Sequence, residues 1–271
     1  MAISDISLTA GMRNNLLALQ KTSQQLSATQ DRLSSGKKVN SALDNPTNFF
    51  AAQAHMERAS DLNDRKDSMA EGVQIIKNAD NGIKAITSLI QAAKGLASSA
   101  QATNDTLSQL TYESQFLQIT SQITTLASDS GYRGTNLLTD GTLSLEFAPK
   151  AGDAVLTVAG FKADSVSLGV SSTANWAAAG EPASALANMD GALTTLRTKS
   201  STLASNLSII TTRQEFTDSV INTLQQGADG LTLADMNTEG ANMLMLQTRQ
   251  SLGTTALSLS SQAAQSVLRL F

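Results

Sequence analysis

Both ends of this chain carry apolar side chains at intervals of seven residues, and this spacing constrains the fold more than any other feature. Near the N-terminus the repeat runs through long aliphatic residues, and near the C-terminus the same spacing returns. Heptad spacing over several turns predicts helices that pair through a narrow seam. Since neither half alone offers a closed core, we expect the terminal helices to pair with each other and with neighbouring copies. The predicted seam residues are Met12, Leu19, Leu26, Leu33, Met245, Leu252 and Leu259.

The segments between the ends are also mostly helical in pattern. We predict a second helix from near Thr47, about 55 residues long by continuity of the heptads, and a third beginning at an N-cap at Asp105 or Thr106. A fourth helix continues through Phe216 and is interrupted at 227–230, before the last helix begins. The apolar positions of the second helix recur every seven residues: Leu62, Met69, Ile76, Ile83, Ile90 and Ala97.

The middle of the chain changes to a period of two. Residues 143–147 and 155–158 alternate apolar and polar side chains across a turn that contains Pro149, which predicts a β-hairpin. A looser strand is expected at 166–170, and a loop at 171–183 around Trp176. The predicted fold is therefore mainly α, a long antiparallel coiled-coil-like bundle that pairs the N- and C-terminal segments, with a small central β-hairpin region.

Composition narrows the classes of function. Net charge is −4, which argues against a nucleic-acid partner, and the absence of cysteine excludes disulfides and thiolate metal sites. No apolar run approaches the roughly 18 residues of a membrane span, so no membrane partner is expected. The first residues lack the basic and apolar regions of a Sec signal peptide. Secretion would then need a route without a cleaved signal.

Catalytic chemistry has no support in the sequence. His55 is a lone histidine on a helix, where a surface or packing role is the more ordinary one. Asp61, Asp64 and Asp67 could be imagined as a metal cluster, but their helical spacing favours a solvated charged stripe. We therefore expect a protein that is not an enzyme and that uses no metal or cofactor.

Four motifs in order resemble bacterial flagellins across essentially the whole chain. One is the turn at 131–138, another the acidic segment at 234–239, and a third combines 252–257 with the C-terminal 265–271. The most specific motif closes the first helix. Its residues are Arg32, Leu33, Ser34, Ser35, Gly36, Asn40, Ser41, Ala42 and Asp44.

The resemblance implies a structural subunit that polymerises into the extracellular flagellar filament for swimming. Residues 1–45 and 227–271 would form the inner filament core, and 46–226 a helical rod with the hairpin region at 140–170 and no outer variable domain. By the same resemblance, the chain is exported unfolded and assembled at the distal tip. Its partners would be other flagellin subunits, an export chaperone, and the cap and hook-associated proteins.

One stretch departs from the family pattern. Many flagellins carry an Arg- and Glu-rich segment on the second helix that an innate-immune receptor reads and that contacts the neighbouring subunit. The corresponding residues here are Gln91, Ala92, Lys94, Gly95 and Leu96, with two charged positions replaced. We expect weak or absent receptor activation, which a receptor-reporter assay tests.

Two alternatives stay open from sequence alone. The hook–filament junction protein of the same family is the nearer one, and Asn45–Pro46 leans towards it, whereas the turn at 134–138 and the C-terminal residues favour the filament subunit. A cytoplasmic coiled-coil scaffold is the other alternative, and it would never appear in the medium.

Overall fold

A computed structural model describes residues 10–148, 154–170, 176–178 and 181–268. Two compact units make up the chain. Unit 1 comprises the chain up to Glu57 and from Leu224 onward, and unit 2 comprises Arg58–Thr223. The elements of the described residues are α1 (Ala10–Ser35), α2 (Pro46–Ala102), α3 (Thr106–Asp129), β1 (Thr142–Glu146), β2 (Val155–Ala159), α4 (Glu181–Thr232) and α5 (Met236–Leu268).

The first two helices end and begin at residues with clear backbone reasons. Gly36 follows α1 with φ of +70°, a left-handed conformation that glycine adopts without steric strain. Pro46 opens α2, where its missing N–H is not needed, and the Asn45 side chain accepts a hydrogen bond from the Asn48 N–H at 3.1 Å. The predicted 55-residue second helix is confirmed as one of 57 residues.

The core of unit 2 is built on the heptad positions of α2. The predicted apolar residues from Met69 to Ala97 are all buried, and the positions three residues further on are also buried and mostly small, including Gly72 and Ala79. On α3, Phe116 and Ile123 face the same cluster. Asp105 caps this helix as predicted and accepts a hydrogen bond from the Ser108 N–H at 2.9 Å.

The predicted hairpin is confirmed, but the prediction of a third strand at 166–170 is wrong. β1 and β2 pair antiparallel, with Leu143 opposite Val158. At 166–170 the chain instead forms a turn, in which the Asp164 carboxylate accepts hydrogen bonds from the N–H groups of Val166 and Ser167. The side chain therefore satisfies donors that a strand would have offered to a neighbour.

The Trp176 side chain belongs to the core although its segment was expected to be a loop. Of the predicted loop at 171–183, residues 171–175 and 179–180 lie outside the described residues. Trp176 is fully buried, its ring lies 4.8 Å from that of Phe116 between centroids, and its backbone N–H donates to Glu113. The segment is thus anchored to α3 by a tilted aromatic pair and a charge-assisted hydrogen bond.

Two predictions for α4 are wrong. The helix is not interrupted at 227–230 but continues to Thr232. Glycine lowers helix stability by about 1 kcal/mol, a penalty that the surrounding turns of the helix outweigh here. Phe216, expected to be in the apolar register, is 60% exposed, and the neighbouring Thr217 takes the buried position. Thr217 lies seven residues after the buried Ile210. The heptad of α4 therefore continues as predicted, but its next buried position is Thr217 and not Phe216.

Gly82 and Gly95 of α2 offer a matched test of close packing. A Cβ atom on Gly82 would lie 2.4 Å from the Ser130 Oγ and 2.7 Å from a Leu138 methyl group, whereas a Cβ on Gly95 would meet no described atom within 4 Å apart from its own stretch of helix. We expect Gly82→Ala to destabilise unit 2 by about 1–3 kcal/mol through overpacking.

In the control, Gly95→Ala should stabilise the helix by about 0.5–1 kcal/mol. Urea unfolding followed by the fluorescence of Trp176, the single tryptophan, measures both variants. Equal effects of the two substitutions would contradict the close approach at Gly82.

Candidate self-assembly surface

Helices α1 and α5 pair antiparallel in unit 1. Arg32, near the end of α1, forms an ion pair with Glu239 at the start of α5, with 3.3 Å between Nη1 and Oε1. Leu19, a residue of the first half of α1, lies against Gly253 further along α5, where a Cβ would come within 2.9 Å of a leucine methyl group. The expected pairing of the N- and C-terminal segments is therefore confirmed.

The seam of α1 alternates leucine with polar residues. Met12 is buried, and Leu19, Leu26 and Leu33 are half-buried. The intervening heptad positions are Asn15, Thr22, Thr29 and Gly36, of which Thr29 is buried. This seam removes less apolar surface from water than a seam of leucine and isoleucine would, so the pair is weakly stabilised by burial.

Of the predicted seam residues of α5, Met245 lines a groove beside α1 residues such as Thr29, whereas Leu252 and Leu259 occupy exposed positions. Met245, Leu252 and Leu259 are 46%, 65% and 61% exposed. The less exposed positions of the helix follow a different heptad, which contains Leu246 and Gly253. The sequence signal for this second heptad was weak because it is not consistently apolar: its positions are Glu239, Leu246, Gly253 and Ser260.

The turn after α1 explains most of the signature residues. The Asp44 carboxylate accepts hydrogen bonds from the backbone N–H groups of Asn40 and Ser41, at 3.0 and 2.9 Å, and from the Ser41 hydroxyl. The Asn40 amide donates to the Ser35 Oγ at 2.8 Å. These bonds fold 35–44 into a compact turn. Ala42 is half-buried within it, and the Ser34 side chain is exposed.

Backbone hydrogen bonds join this turn to the segment before α5. The N–H groups of Lys38 and Val39 donate to the Thr232 carbonyl, and the Ala234 N–H donates to the Gly36 carbonyl at 2.9 Å. Lys37 forms an isolated antiparallel bridge with Leu233. The two ends of the chain are thus tied at the point where α1 stops and α5 starts.

The N-terminus of α5 is capped by Asp235. Its carboxylate accepts hydrogen bonds from the hydroxyl and the N–H of Thr238 and from the N–H of Asn237. Glu239 follows in the first turn, where a negative charge also stabilises the helix dipole. Sequence reasoning recognised the acidic segment but not that Glu239 is the partner of Arg32.

The stretch that departs from the family pattern lies on α2. Gln91, Ala92 and Gly95 are exposed, and Lys94 forms an ion pair with Asp190 of α4. The remaining charge of this stretch is therefore engaged within unit 2. The weak receptor activation expected from the sequence stays a prediction.

The residues considered for catalysis or metal binding are not gathered into a site within the described part of the chain. His55 is half-buried, and a Cβ atom placed on Gly227 would be in ordinary van der Waals contact with its ring. Asp61, Asp64 and Asp67 are exposed on α2. Across the described residues, no group of three or more His, Cys, Asp or Glu side chains could hold a metal ion, and no helix there is long and apolar enough to cross a bilayer.

Comparison with known proteins finds relatives of this chain. Residues 6–142 match the family described as the bacterial flagellin N-terminal helical region. The chain is 30% identical to the flagellin FljM of Caulobacter vibrioides over 272 residues, covering all of both chains. It is 27% identical to a flagellin of Brucella melitensis, covering 94% of this chain and 95% of that one. A crystal structure of Bacillus cereus flagellin superposes with a TM-score of 0.47 at 18% identity, over 55% of this chain and 88% of that chain.

The chain belongs to the bacterial flagellin family, whose members are structural subunits of the flagellar filament and not enzymes.

Two carboxylates set the expected pH dependence of unit 1. Backbone hydrogen bonds from Asn40 and Ser41 hold the pKa of Asp44 below its ordinary value of 3.8, and the Thr238 hydroxyl and N–H do the same for the pKa of Asp235. A carboxylate with a lowered folded pKa stabilises the fold above its unfolded pKa, and this contribution disappears as the pH falls through the folded pKa.

We therefore expect the 35–44 turn to be unchanged between about pH 7 and pH 5, and to loosen below about pH 4. Amide chemical shifts of Asn40 and Ser41 in the monomer report this transition, and Asp44→Asn should abolish it. A midpoint between about pH 5 and pH 7 would contradict the assignment to carboxylates.

Proposed function

We propose that the chain polymerises through the terminal helices of unit 1, with 1–45 and 227–271 forming the inner core of the filament and 46–226 the layer around it. The observation that carries this proposal is the outer face of α5, where Leu252 and Leu259, seven residues apart, are left 65% and 61% exposed by the described part of the chain. Large aliphatic side chains exposed in a row along one helix face suit a contact with another helix.

Burial differs sharply between the two units. In the described part of unit 1, the buried hydrophobic residues are Met12, Val39, Ala52, Ala228 and Leu246. In unit 2, by contrast, thirty buried residues form one continuous cluster. Since ordering each residue costs about 1–2 kcal/mol of conformational entropy, unit 1 gains little from folding alone. Contacts with neighbouring copies would supply the missing burial.

A buried polar atom in unit 1 supports the same proposal. Glu239 is buried, its Oε1 accepts from Arg32, and its Oε2 has no hydrogen-bond partner among the described residues. A groove of about 340 Å³ between α1 and α5 includes Arg32, Glu239 and Arg249. A donor from a neighbouring copy entering this groove would satisfy the buried oxygen, which otherwise remains costly.

Export and assembly at the tip extend the proposal to the cell. We infer that the chain leaves unfolded through the flagellar export apparatus, is held by an export chaperone, and is added under the cap beyond the hook-associated proteins, so that the filament drives swimming. The absence of cysteine and the three prolines suit a chain that must be threaded and refolded. Proline isomerisation and disulfide formation are slow steps in refolding; a low proline count limits the first, and the absence of cysteine removes the second.

Leu252→Glu tests the outer face of α5. Because Leu252 is 65% exposed, the monomer should fold normally, while a buried charge at an interface should slow seeded elongation about tenfold or more. Electron microscopy of monomer mixed with short filament seeds measures elongation, and Leu252→Met is the control that keeps the side chain apolar.

Normal elongation of Leu252→Glu would contradict a role for this face in assembly. Persistent monomers or short caps from the unsubstituted chain would instead favour the junction protein of the same family.

Hydrogen exchange of the free monomer tests the thin core of unit 1. We expect the amides of α1 and α5 to exchange at least about a hundredfold faster than those of α2 from Met69 to Ala97, because local opening exposes little apolar surface in unit 1. Assembled filaments should protect both sets. Equal protection in the monomer would show that unit 1 is stable without other copies.

A further inference from the structure

The outer face of α3 carries a second heptad that the other described residues leave exposed. Leu107, Leu110 and Leu117 are 73%, 42% and 43% exposed, and the exposed Ser114 and Ser121 continue the same spacing. We call these five residues the α3 stripe. The opposite side of the helix already packs in the core, so a single helix carries one buried and one exposed seam.

The α3 stripe lies on a face almost without charge. The 24 residues of α3 include only Glu113 and Asp129 as charged residues. Glu113 is half-buried and accepts a hydrogen bond from the Trp176 N–H, and Asp129 is the last residue of the helix. Helix faces that meet water normally carry charged side chains, as α2 does, whereas interface cores are depleted of charge.

A second exposed heptad of the same character lies on α4. Thr202, Ser205, Ile209, Thr212 and Phe216 are all exposed, with Ile209 at 42% and Phe216 at 60%. We call these residues the α4 stripe. No charged residue occurs between Lys199 and Arg213.

Both stripes contain the same types of side chain as the face of α1 that packs against α5. On α1, leucines such as Leu19 and Leu26 alternate with Thr22 and Thr29, and this face packs against α5. Leucine and small hydroxyl residues at heptad spacing therefore suit a helical partner here.

We propose that the α3 stripe of one copy packs against the α4 stripe of a neighbouring copy in the filament. The inference rests on the proposed polymerisation of the chain. A filament grows through heterologous contacts, in which two different surfaces of each copy meet. Unit 2 offers two such surfaces on two different helices. The stripe residues themselves are uncharged, and the charged residues closest in sequence to the α4 stripe, Arg213 and Glu215, lie at its C-terminal end beside Phe216.

The contact is too small to hold two free copies together. A helix of 24 residues is about 36 Å long, and one helix face of that length buries less than the roughly 1,200 Å² of a stable interface. We therefore expect it to form only when the terminal helices assemble as well, since linked contacts raise each other's effective concentration.

Cross-linking between engineered cysteines tests the pairing in the full chain, which has no cysteine of its own. Leu117→Cys is combined in turn with Thr202→Cys, Ile209→Cys and Phe216→Cys, so that neighbouring registers of the seam are sampled. Filaments of at least one double variant, treated with a short bismaleimide, should give a ladder of covalent multimers. The same variants kept as monomers should stay uncross-linked.

Single variants are the controls. Leu117→Cys alone should give no cross-linked dimer, and a strong dimer would show that α3 meets α3, which overturns the pairing. The proposed pairing would also be overturned if all three double variants formed intact filaments and none of them gave covalent multimers. If the unsubstituted chain forms no filaments, the polymerisation proposal fails, and that outcome is distinct from a missing ladder.

Charge substitutions give a second readout. Leu110→Lys should slow seeded elongation about tenfold or more, while the unfolding transition of the monomer stays unchanged because Leu110 is 42% exposed. Asn63→Lys, on the charged and exposed face of α2, is the matched control and should elongate normally. Unchanged elongation of Leu110→Lys would contradict burial of the α3 stripe between copies.

Discussion

The apolar row that α2 presents every seventh residue, from Met69 to Ala97, is the interaction on which unit 2 depends. All positions of this row are buried, and small residues such as Ala79 and Gly72 lie beside it. The small residues let the hairpin approach the helix, as the methyl groups of Leu145 over Gly72 show. One helix thus organises α3, α4 and the hairpin around a single seam.

Unit 1 uses the same heptad spacing with more polar side chains, so the gain from burial exceeds the entropy cost of ordering by less than in unit 2. In α1 the leucines are only half-buried, and polar residues such as Thr22 fill the alternate positions. Replacing aliphatic by hydroxyl side chains lowers the free energy gained on burial, while the entropy of ordering the helix stays the same. Heptad spacing therefore predicts a helix pair in both units, but only the side chains decide how stable each pair is by itself.

The elements with long, regular periodicity were predictable from sequence, and the errors have identifiable causes. The helix that begins at Pro46 and the hairpin were found because period and turn residues agreed. The break expected at 227–230 failed because glycine is a weak breaker inside a long helix. The strand expected at 166–170 failed because the Asp164 side chain bonds the backbone locally.

The assembly surface was harder to predict than the fold, because periodicity does not say which partner covers a seam. On α5, the sequence drew attention to Leu252, which is exposed, and not to Leu246 and Gly253, which face α1. The face that packs within one copy needs only to fit α1, so glycine and glutamate suffice there. The more apolar face remains outside, as it would in a subunit whose strongest burial comes from its neighbours.

In the proposed assembly, several weak contacts would let a subunit stay monomeric until it meets the end of a filament. The outer faces of α3, α4 and α5 are each one helix wide, and each alone falls short of the area that holds two proteins together. When several form at once, each raises the effective concentration for the others. Polymerisation as proposed would then depend on an existing end that presents all of these surfaces together, whereas two free copies meeting through any one surface would separate again.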